Sequence, residues 1–156
     1  MFVKILLTFL ISIVPIVELR GAVPFGVGMG VNPFVALGVS IIGNMIPVPF
    51  IFFFARKFLN WGKDKKIIGK FCKWVLKKGE KGGKKLTEKA GRSTYVALLL
   101  FVGIPIPGTG AWTGTLAASL LDLDFKKSSV AVVCGVVLAG IIMLTLSTLG
   151  FKALGA

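Results

Sequence analysis

Residues 13–24 read IVPIVELRGAVP and place a glutamate and an arginine between two prolines, inside a run of apolar residues. An ionised side chain in the middle of a bilayer costs about 2.5–3.5 kcal/mol on insertion scales, so such residues persist where they pair or line a polar space. Proline has no backbone N–H and disfavours helix in the residue before it. Irregular backbone at membrane depth is tolerated where protein or water surrounds it. The stretch therefore predicts a hairpin tip that lines a polar cavity.

Two interpretations of the charged residues are open. On a regular helix, residues two positions apart point to different sides, so Glu18 and Arg20 either pair in unwound chain or have different partners. In the structural interpretation they form a neutralised pair that fixes the hairpin. In the functional interpretation Arg20 binds an anionic headgroup and Glu18 carries a proton. The two prolines favour unwinding from Pro15 to Pro24.

The surrounding sequence is typical of a membrane protein. Hydrophobic residues make up 55% of the 156 residues. They are concentrated in four blocks, at residues 1–31, 34–54, 94–121 and 128–151. Such blocks match the helix of about 20 residues that crosses a hydrocarbon core of about 30 Å. We therefore predict an all-α, multi-pass protein of the cell membrane.

The composition disfavours enzyme chemistry and metal binding. The chain has no histidine, which excludes His-based acid–base pairs, triads and zinc sites, and six carboxylates offer little to hydrolytic chemistry. Cys72 and Cys134 are far apart in the chain, and we expect two free thiols. We expect no enzymatic activity, no cofactor and no metal.

Positive charge is concentrated in residues 56–92, which hold 14 of the 19 Lys and Arg residues and three acidic residues. Between two membrane blocks this density is typical of a cytoplasmic loop that follows the positive-inside rule and attracts anionic lipid. We expect no nucleic-acid partner. Apolar residues at helical spacing among the lysines predict an amphipathic helix on the membrane surface. They are Ile67, Ile68, Phe71, Trp74, Val75 and Leu76.

The two halves of the chain contain the same features in the same order. Residues 1–55 and 93–156 each contain a proline-broken block, a polar turn and a plain span, although the letters match weakly. The broken blocks are residues 1–31 and 94–121, and the spans are residues 34–54 and 128–151. Repeats with interrupted helices at corresponding positions are a sequence signature of transporter sites.

Two topologies fit this repeat. If all four blocks cross the membrane, the basic segment and Lys126–Lys127 lie on opposite sides. If the broken blocks are re-entrant, both basic stretches are cytoplasmic, which agrees better with the positive-inside rule. Both termini then lie outside, and the hairpin tips meet from opposite leaflets. We favour this inverted repeat of two re-entrant helical hairpins, each followed by a transmembrane helix, with the amphipathic helix between the halves.

The second predicted tip, GIPIPGTGAWT at residues 103–113, has no charged side chain. Its hydroxyls, indole and glycine N–H groups could cradle an anion at a helix start, although any tight hairpin needs the same glycines. Asn44, in the second block, is a candidate hydrogen-bond partner for either tip or a helix–helix contact. The candidate substrate and proton site comprises Glu18, Arg20, Gly21, Pro24, Asn44, Pro105, Pro107, Gly108, Thr109, Gly110, Trp112 and Thr113.

The two tip motifs, ELRGAVP at residues 18–24 and GIPIPGTGAWTG at residues 103–114, resemble the small multidrug export protein family, and the resemblance covers nearly the whole chain. It implies membership of the DedA/VTT superfamily, with two opposed re-entrant hairpins. It also implies a link to lipid movement, including polyprenyl phosphate, and to proton-dependent drug and pH tolerance. Glu18 matches the acids of that superfamily's first hairpin. Its second-hairpin arginines are missing here, where Gly103 and Gly110 stand.

Three functions are compatible with these features. The favoured one is a proton-linked transporter or flippase of an amphipathic anion such as polyprenyl phosphate, bound by Arg20 and the second-tip amides. The second is a small multidrug or cation antiporter that uses Glu18, although Arg20 beside it would repel a cation. The third is a non-transporting scaffold with a basic lipid-binding arm. We expect anionic lipids, a small amphipathic substrate and protons as partners, and a homodimer or larger assembly.

Overall fold

The computed structural model describes residues 1–15, 17–74, 77, 93–106 and 109–153. In these ranges the regular structure is helical and contains no strand, which confirms the all-α prediction there. The helices are α1 (Phe2–Ile13), α2 (Glu18–Gly28), α3 (Pro33–Met45), α4 (Pro47–Gly62), α5 (Ser93–Gly103), α6 (Ala111–Leu120) and α7 (Phe125–Ala153). A short helical segment follows α4 at residues 69–74.

Two helical stretches are long and apolar enough to cross a membrane. The stretch formed by α3 and α4 covers Pro33–Gly62, 30 residues, and α7 covers 29 residues. At 1.5 Å per residue each is about 45 Å long, which exceeds a hydrocarbon core of about 30 Å. The prediction of long apolar helices in the second and fourth blocks is confirmed. The first of them extends eight residues past the predicted end at residue 54.

The four shorter helices form two hairpins. In the first, Lys4 near the start of α1 donates a hydrogen bond from Nζ to the carbonyl of Met29, just after α2, at 2.7 Å. In the second, the N–H of Asp124, just after α6, donates to the hydroxyl of Tyr95 near the start of α5 at 3.4 Å. The outer ends of each pair therefore meet. The two segments between the paired helices are residues 14–17 and 104–110, of which residues 16, 107 and 108 are outside the described residues, and we call these segments the tips.

Polar residues just before the two long helices provide their N-caps. The side chain of Asn32 accepts a hydrogen bond from the N–H of Phe34 at 3.0 Å, where α3 starts. The Oδ1 of Asp124 accepts from the N–H of Lys127 at 2.9 Å, where α7 starts. Asn and Asp are strong N-cap residues because their side chains satisfy N–H groups that lack a helical partner.

The start of α7 lies at the same end of the molecule as the second half of α4. The rings of Phe53 and Phe125 pack with their centroids 4.6 Å apart. Arg56 on α4 forms an ion pair with Asp122 in the turn before α7. Lys126–Lys127 therefore lie near the end of α4 that leads into the basic segment, in agreement with the favoured topology. The re-entrant course of the hairpins, the inverted repeat and the cytoplasmic side stay predictions.

The hairpins pack against both long helices. α1 and α2 contact α3, and α5 and α6 contact α7. In addition, α2 contacts α7 and α6 contacts α4, so one helix of each hairpin reaches the long helix of the other half. A Cβ at Gly135 on α7 would lie 2.7 Å from the carbonyl oxygen of Leu99, which shows how closely α5 approaches. This cross-packing brings the two tips together.

The break in the first hairpin is shorter than predicted. The chain leaves the helical conformation after α1, and α2 starts at Glu18 and continues through Pro24. The predicted unwinding from Pro15 to Pro24 is therefore wrong, and Arg20 lies in regular helix. Pro24 is the seventh residue of α2, so its missing N–H removes one helical hydrogen bond, to the carbonyl of Arg20. Contacts of α2 with α1, α3 and α7 hold the helix across that loss.

The basic segment is described in part. Ile67, Phe71 and Trp74 are 95%, 64% and 56% exposed, and lysines lie between them. The helical residues 69–74 agree with the predicted amphipathic helix over this short stretch. The other predicted members, Val75 and Leu76, and residues 78–92 lie outside the described residues.

Candidate functional site

Glu18 reaches from the first tip to the second. It is the first residue of α2 and is 4% exposed, and its Oε1 accepts a hydrogen bond from the backbone N–H of Trp112 at 3.0 Å. Trp112 is the second residue of α6. The first N–H groups of a helix have no helical partner, and the helix dipole favours negative charge there. The Glu18 carboxylate thus acts as an N-cap supplied by a different helix.

Gly110 makes room for this carboxylate. It immediately precedes α6 and has φ = +155°, in a region nearly restricted to glycine. A Cβ at this position would overlap Oε2 of Glu18. Glu18 itself has φ = +51°, which is uncommon for a residue with a side chain. Such conformations persist where surrounding contacts impose them, and here the contacts come from the meeting of the two tips.

Arg20 contacts the chain on the α5 side of the break between α5 and α6. Its guanidinium donates to four oxygens at the end of α5 and in the chain that follows. The last carbonyls of a helix have no helical donor, and a guanidinium offers five N–H groups in a planar fork. The acceptors are the carbonyls of Val102 (3.0 Å), Ile104 (3.1 Å) and Ile106, and the hydroxyl of Thr109 (2.9 Å).

Glu18 and Arg20 therefore have different partners. In the described part of the chain, Arg56 and Asp122 form an ion pair with a nitrogen–oxygen distance below 4 Å. Glu18 and Arg20 form no such ion pair with each other. Of the two predicted alternatives, the structure shows separate partners and not direct pairing in unwound chain. Glu18 and Arg20 both stabilise the break between the two helices of the second hairpin.

A cavity of about 580 Å³ lies beside Glu18. Phe50, Phe54 and Phe58 line it from α4, where each is more than half exposed, and Trp112 lines it from α6. Glu18 is the one charged residue among the described residues that line it. The volume is in the range of small-molecule sites, about 300–1,000 Å³, which combine apolar walls with a few polar groups. The arrangement can hold an aromatic or aliphatic molecule with one polar group against the carboxylate.

A second, narrower space lies on the other side of Glu18. Asn44 on α3 lines it together with Glu18 and Arg20, and it is too narrow for a water molecule. Asn44 is 2% exposed, and its Oδ1 has no hydrogen-bond partner in the described ranges. Asn44 therefore lies close to the tips, but in the described residues its Oδ1 accepts no hydrogen bond from them. We call this space the inner void.

The structure brings most of the predicted site residues to the meeting point of the tips. Gly21 and Pro24 lie inside α2, and Pro105 lies in the break between α5 and α6. Pro107 and Gly108 are outside the described residues. The predicted residues at the tips, the cavity or the inner void are Glu18, Arg20, Asn44, Pro105, Thr109, Gly110, Trp112 and Thr113.

The aromatic wall was missed at the sequence level. Phe50, Phe54 and Phe58 are spaced four residues apart, which places them on one face of a helix. That spacing was the available signal. In an apolar span the same stripe fits lipid contact equally well, so the sequence alone could not assign it to a cavity.

Fold and site together define a helical membrane protein in which two broken hairpins meet beside a cavity with one buried carboxylate. The chain belongs to the family described as "Putative small multi-drug export protein", whose model matches residues 18–142. The match starts at Glu18 and includes the second tip. No curated protein and no solved structure matches the chain. The predicted family is confirmed, and its place in the DedA/VTT superfamily stays a prediction.

Proposed function

We propose that this protein exports amphipathic cations across the membrane and that Glu18 binds the positive charge of the substrate. The observation that carries the proposal is the cavity beside Glu18. Among its described lining residues this carboxylate is the one charged group, and four aromatic side chains line the space. Aromatic faces attract cations, more strongly when water is excluded. A lipophilic cation therefore matches both the charge and the walls.

Arg20 opposes a cation less than its place in the sequence suggests. Its guanidinium donates to carbonyl and hydroxyl oxygens of the second tip. It lines the inner void and not the described wall of the cavity. The negative ends of those carbonyl dipoles face the guanidinium and offset part of its charge. The sequence-based objection to a cationic substrate is correspondingly weaker.

An anionic substrate such as a lipid phosphate has less support. It would need Arg20 and the N–H groups of the second tip as ligands. Arg20 already donates to four oxygens, and the N–H of Trp112 donates to Glu18. A phosphate would have to break these contacts and approach a carboxylate, so like charges would lie together.

A single carboxylate also provides a means of coupling to protons. Glu18 is negative when ionised and neutral when protonated, and a cation is attracted to the ionised form. Cation and proton therefore compete for the same group. A protein in which Glu18 is reached from either side in turn would exchange one for the other. This is the antiport mechanism that we propose.

A second role, binding of anionic lipid, is supported by the segment after α4. Exposed Ile67, Phe71 and Trp74 alternate with lysines in that segment. Each Lys or Arg near an anionic leaflet contributes about 1 kcal/mol. Replacing Lys65, Lys66, Lys70 and Lys73 with Gln should reduce retention of anionic lipid and leave cation binding unchanged.

The substrate charge can be tested with two ions of matched shape, tetraphenylphosphonium and tetraphenylborate. Binding to the purified protein is measured by calorimetry and corrected for empty micelles. We expect the parent to bind tetraphenylphosphonium more tightly, and Glu18→Gln to lose most of that binding. Tighter binding of tetraphenylborate, or an unchanged affinity of Glu18→Gln for the cation, would contradict the proposal.

A further inference from the structure

We propose that Asn44 accepts a hydrogen bond from the protonated Glu18 carboxyl and thereby sets the pH at which Glu18 takes up a proton. The inference rests on the proposed function in one respect, the identity of Glu18 as the exchange group. The inference adds Asn44 as a positioning residue. Asn44 stabilises the protonated form of Glu18 and does not contact the substrate.

The first argument is the position of Glu18 between two spaces. Of the described residues, Glu18 alone lines both the cavity and the inner void. Glu18 therefore borders the cavity in which a substrate would bind. It also borders the inner void together with Asn44, which lies on α3 and not on either hairpin.

The second argument is the unsatisfied oxygen of Asn44. Its Oδ1 is buried and has no hydrogen-bond partner in the described part of the chain. A buried acceptor without a partner is destabilising, and native structures contain few of them. The inner void is too narrow for a water molecule, so a water there cannot supply the donor. The side chains that line the void are therefore the candidates for the missing donor.

Besides Asn44 itself, two side chains that line the inner void can carry donors. Arg20 directs its guanidinium to four oxygens of the second tip. Glu18 has no donor when ionised and gains one O–H when protonated. Protonation of Glu18 therefore creates the group that Asn44 lacks. A hydrogen bond made only by the neutral carboxyl favours the neutral form.

The groups that favour ionised Glu18 are Arg20 and the N–H of Trp112, and both are retained when Asn44 is replaced. Among the described residues that line the two spaces, Arg20 is the other charged one. The lining residues from α3, α4, α5, α6 and α7 are uncharged. Removing the Asn44 acceptor should therefore weaken proton uptake by Glu18 without removing a charge from the site.

The test is an infrared titration of the protein without any cation. The carbonyl band of protonated Glu18 is assigned by its loss in Glu18→Gln and followed against pH in the parent, Asn44→Leu and Asn44→Ala. We expect the midpoint to fall by about one pH unit in both variants, a tenfold loss of proton affinity, which matches one net hydrogen bond. The two variants bracket the volume of Asn, so a folding defect in one does not prevent the measurement.

Ser40→Ala is the matched control. Ser40 lies one turn earlier on α3, and its hydroxyl is also buried without a partner among the described residues, but it does not line the inner void. In Ser40→Ala, the pH midpoint of the Glu18 band should equal that of the parent. An unchanged midpoint in both Asn44 variants, or a Glu18 band that does not titrate, would overturn the proposal. A raised midpoint would overturn it too, because it would mean that the Asn44 amide donates to ionised Glu18.

The titration uses no substrate, so its result is separate from that of the cation-binding test. If tetraphenylphosphonium does not bind and the midpoint falls as expected, the export proposal fails and the role of Asn44 stands. If the cation binds through Glu18 and the midpoint does not move, the role of Asn44 fails alone.

Discussion

The Glu18 carboxylate accepts a hydrogen bond from the backbone N–H of Trp112 at 3.0 Å, although 94 residues separate the two in the chain. Two positions after Glu18, Arg20 donates to the carbonyl of Val102 at 3.0 Å. The anion lies at the positive end of α6 and the cation at the negative end of α5, so both charges complement the helix dipoles. The first hairpin thus stabilises the break in the second.

Loss of Arg20 should destabilise the protein. Arg20→Gln removes most of the donors for four oxygens at the second tip, and hydrogen bonds to charged groups contribute more than neutral ones. We expect a loss of about 3 kcal/mol in the free energy of unfolding, measured by denaturant titration in micelles. Arg56→Gln is the matched control. Its ion pair with Asp122 joins side chains 34% and 76% exposed, so its loss should cost about 1 kcal/mol or less. Equal losses in the two variants would contradict the role given to Arg20.

Gly110→Ala should disturb the contact between the tips. The new Cβ would overlap Oε2 of Glu18 and would stand at φ = +155°. We expect a loss of about 2 kcal/mol or more in the free energy of unfolding, together with weaker binding of tetraphenylphosphonium. Gly38→Ala is the control, because nothing lies within 4 Å of its added Cβ in α3. That variant should be neutral or gain up to about 1 kcal/mol. A Gly110→Ala protein as stable as Gly38→Ala would show that the tips do not meet in this way.

Two neighbouring hydroxyls on α6 should respond in opposite directions. The Oγ1 of Thr115 is buried without a partner in the described residues, whereas the Oγ of Ser119 donates to the carbonyl of Phe52 at 2.6 Å. Thr115→Val should therefore stabilise the protein by up to about 1 kcal/mol, and Ser119→Ala should destabilise it by about 1 kcal/mol. Thermal unfolding of both variants, followed by circular dichroism, gives the two signs. A destabilised Thr115→Val would show that this hydroxyl has a partner in the membrane.

The aromatic wall should contribute to substrate affinity. Phe54→Ala removes a ring that lines the cavity, and a cation–aromatic contact contributes about 0.5–2 kcal/mol. We expect binding of tetraphenylphosphonium to weaken roughly tenfold by calorimetry, with folding unchanged. Phe34→Ala is the control, because Phe34 is 76% exposed and outside the cavity. Equal affinities of the two variants would place the cation elsewhere.

Local features of the fold could be predicted where one residue decides the conformation. Pro15 and Pro105 stand in the two breaks, and Asn32 and Asp124 cap the long helices, as their chemistry dictates. The extent of the first break could not be predicted in this way. Pro24 costs one helical hydrogen bond, and whether α2 survives that loss depends on tertiary contacts that the local sequence does not contain.

Which residues form the candidate site could be predicted better than how these residues are arranged. The two-residue spacing of Glu18 and Arg20 left two alternatives, and choosing between them required the position of a tip more than 80 residues away. That position follows from the packing of α2 on α7 and of α6 on α4. The favoured anionic substrate depended on Arg20 being available as a ligand. Its contacts with four oxygens could be seen only in the fold.

The most direct test of the account is cation exchange for protons in proteoliposomes. Uptake of ethidium, an aromatic cation, is followed into vesicles with an acidic interior, with the membrane potential clamped by potassium and valinomycin and protein-free vesicles as the baseline. The account predicts uptake by the parent that ceases when the pH gradient is removed and is abolished in Glu18→Gln. Uptake by Glu18→Gln equal to that of the parent, or no uptake by a folded parent above the baseline, would contradict it.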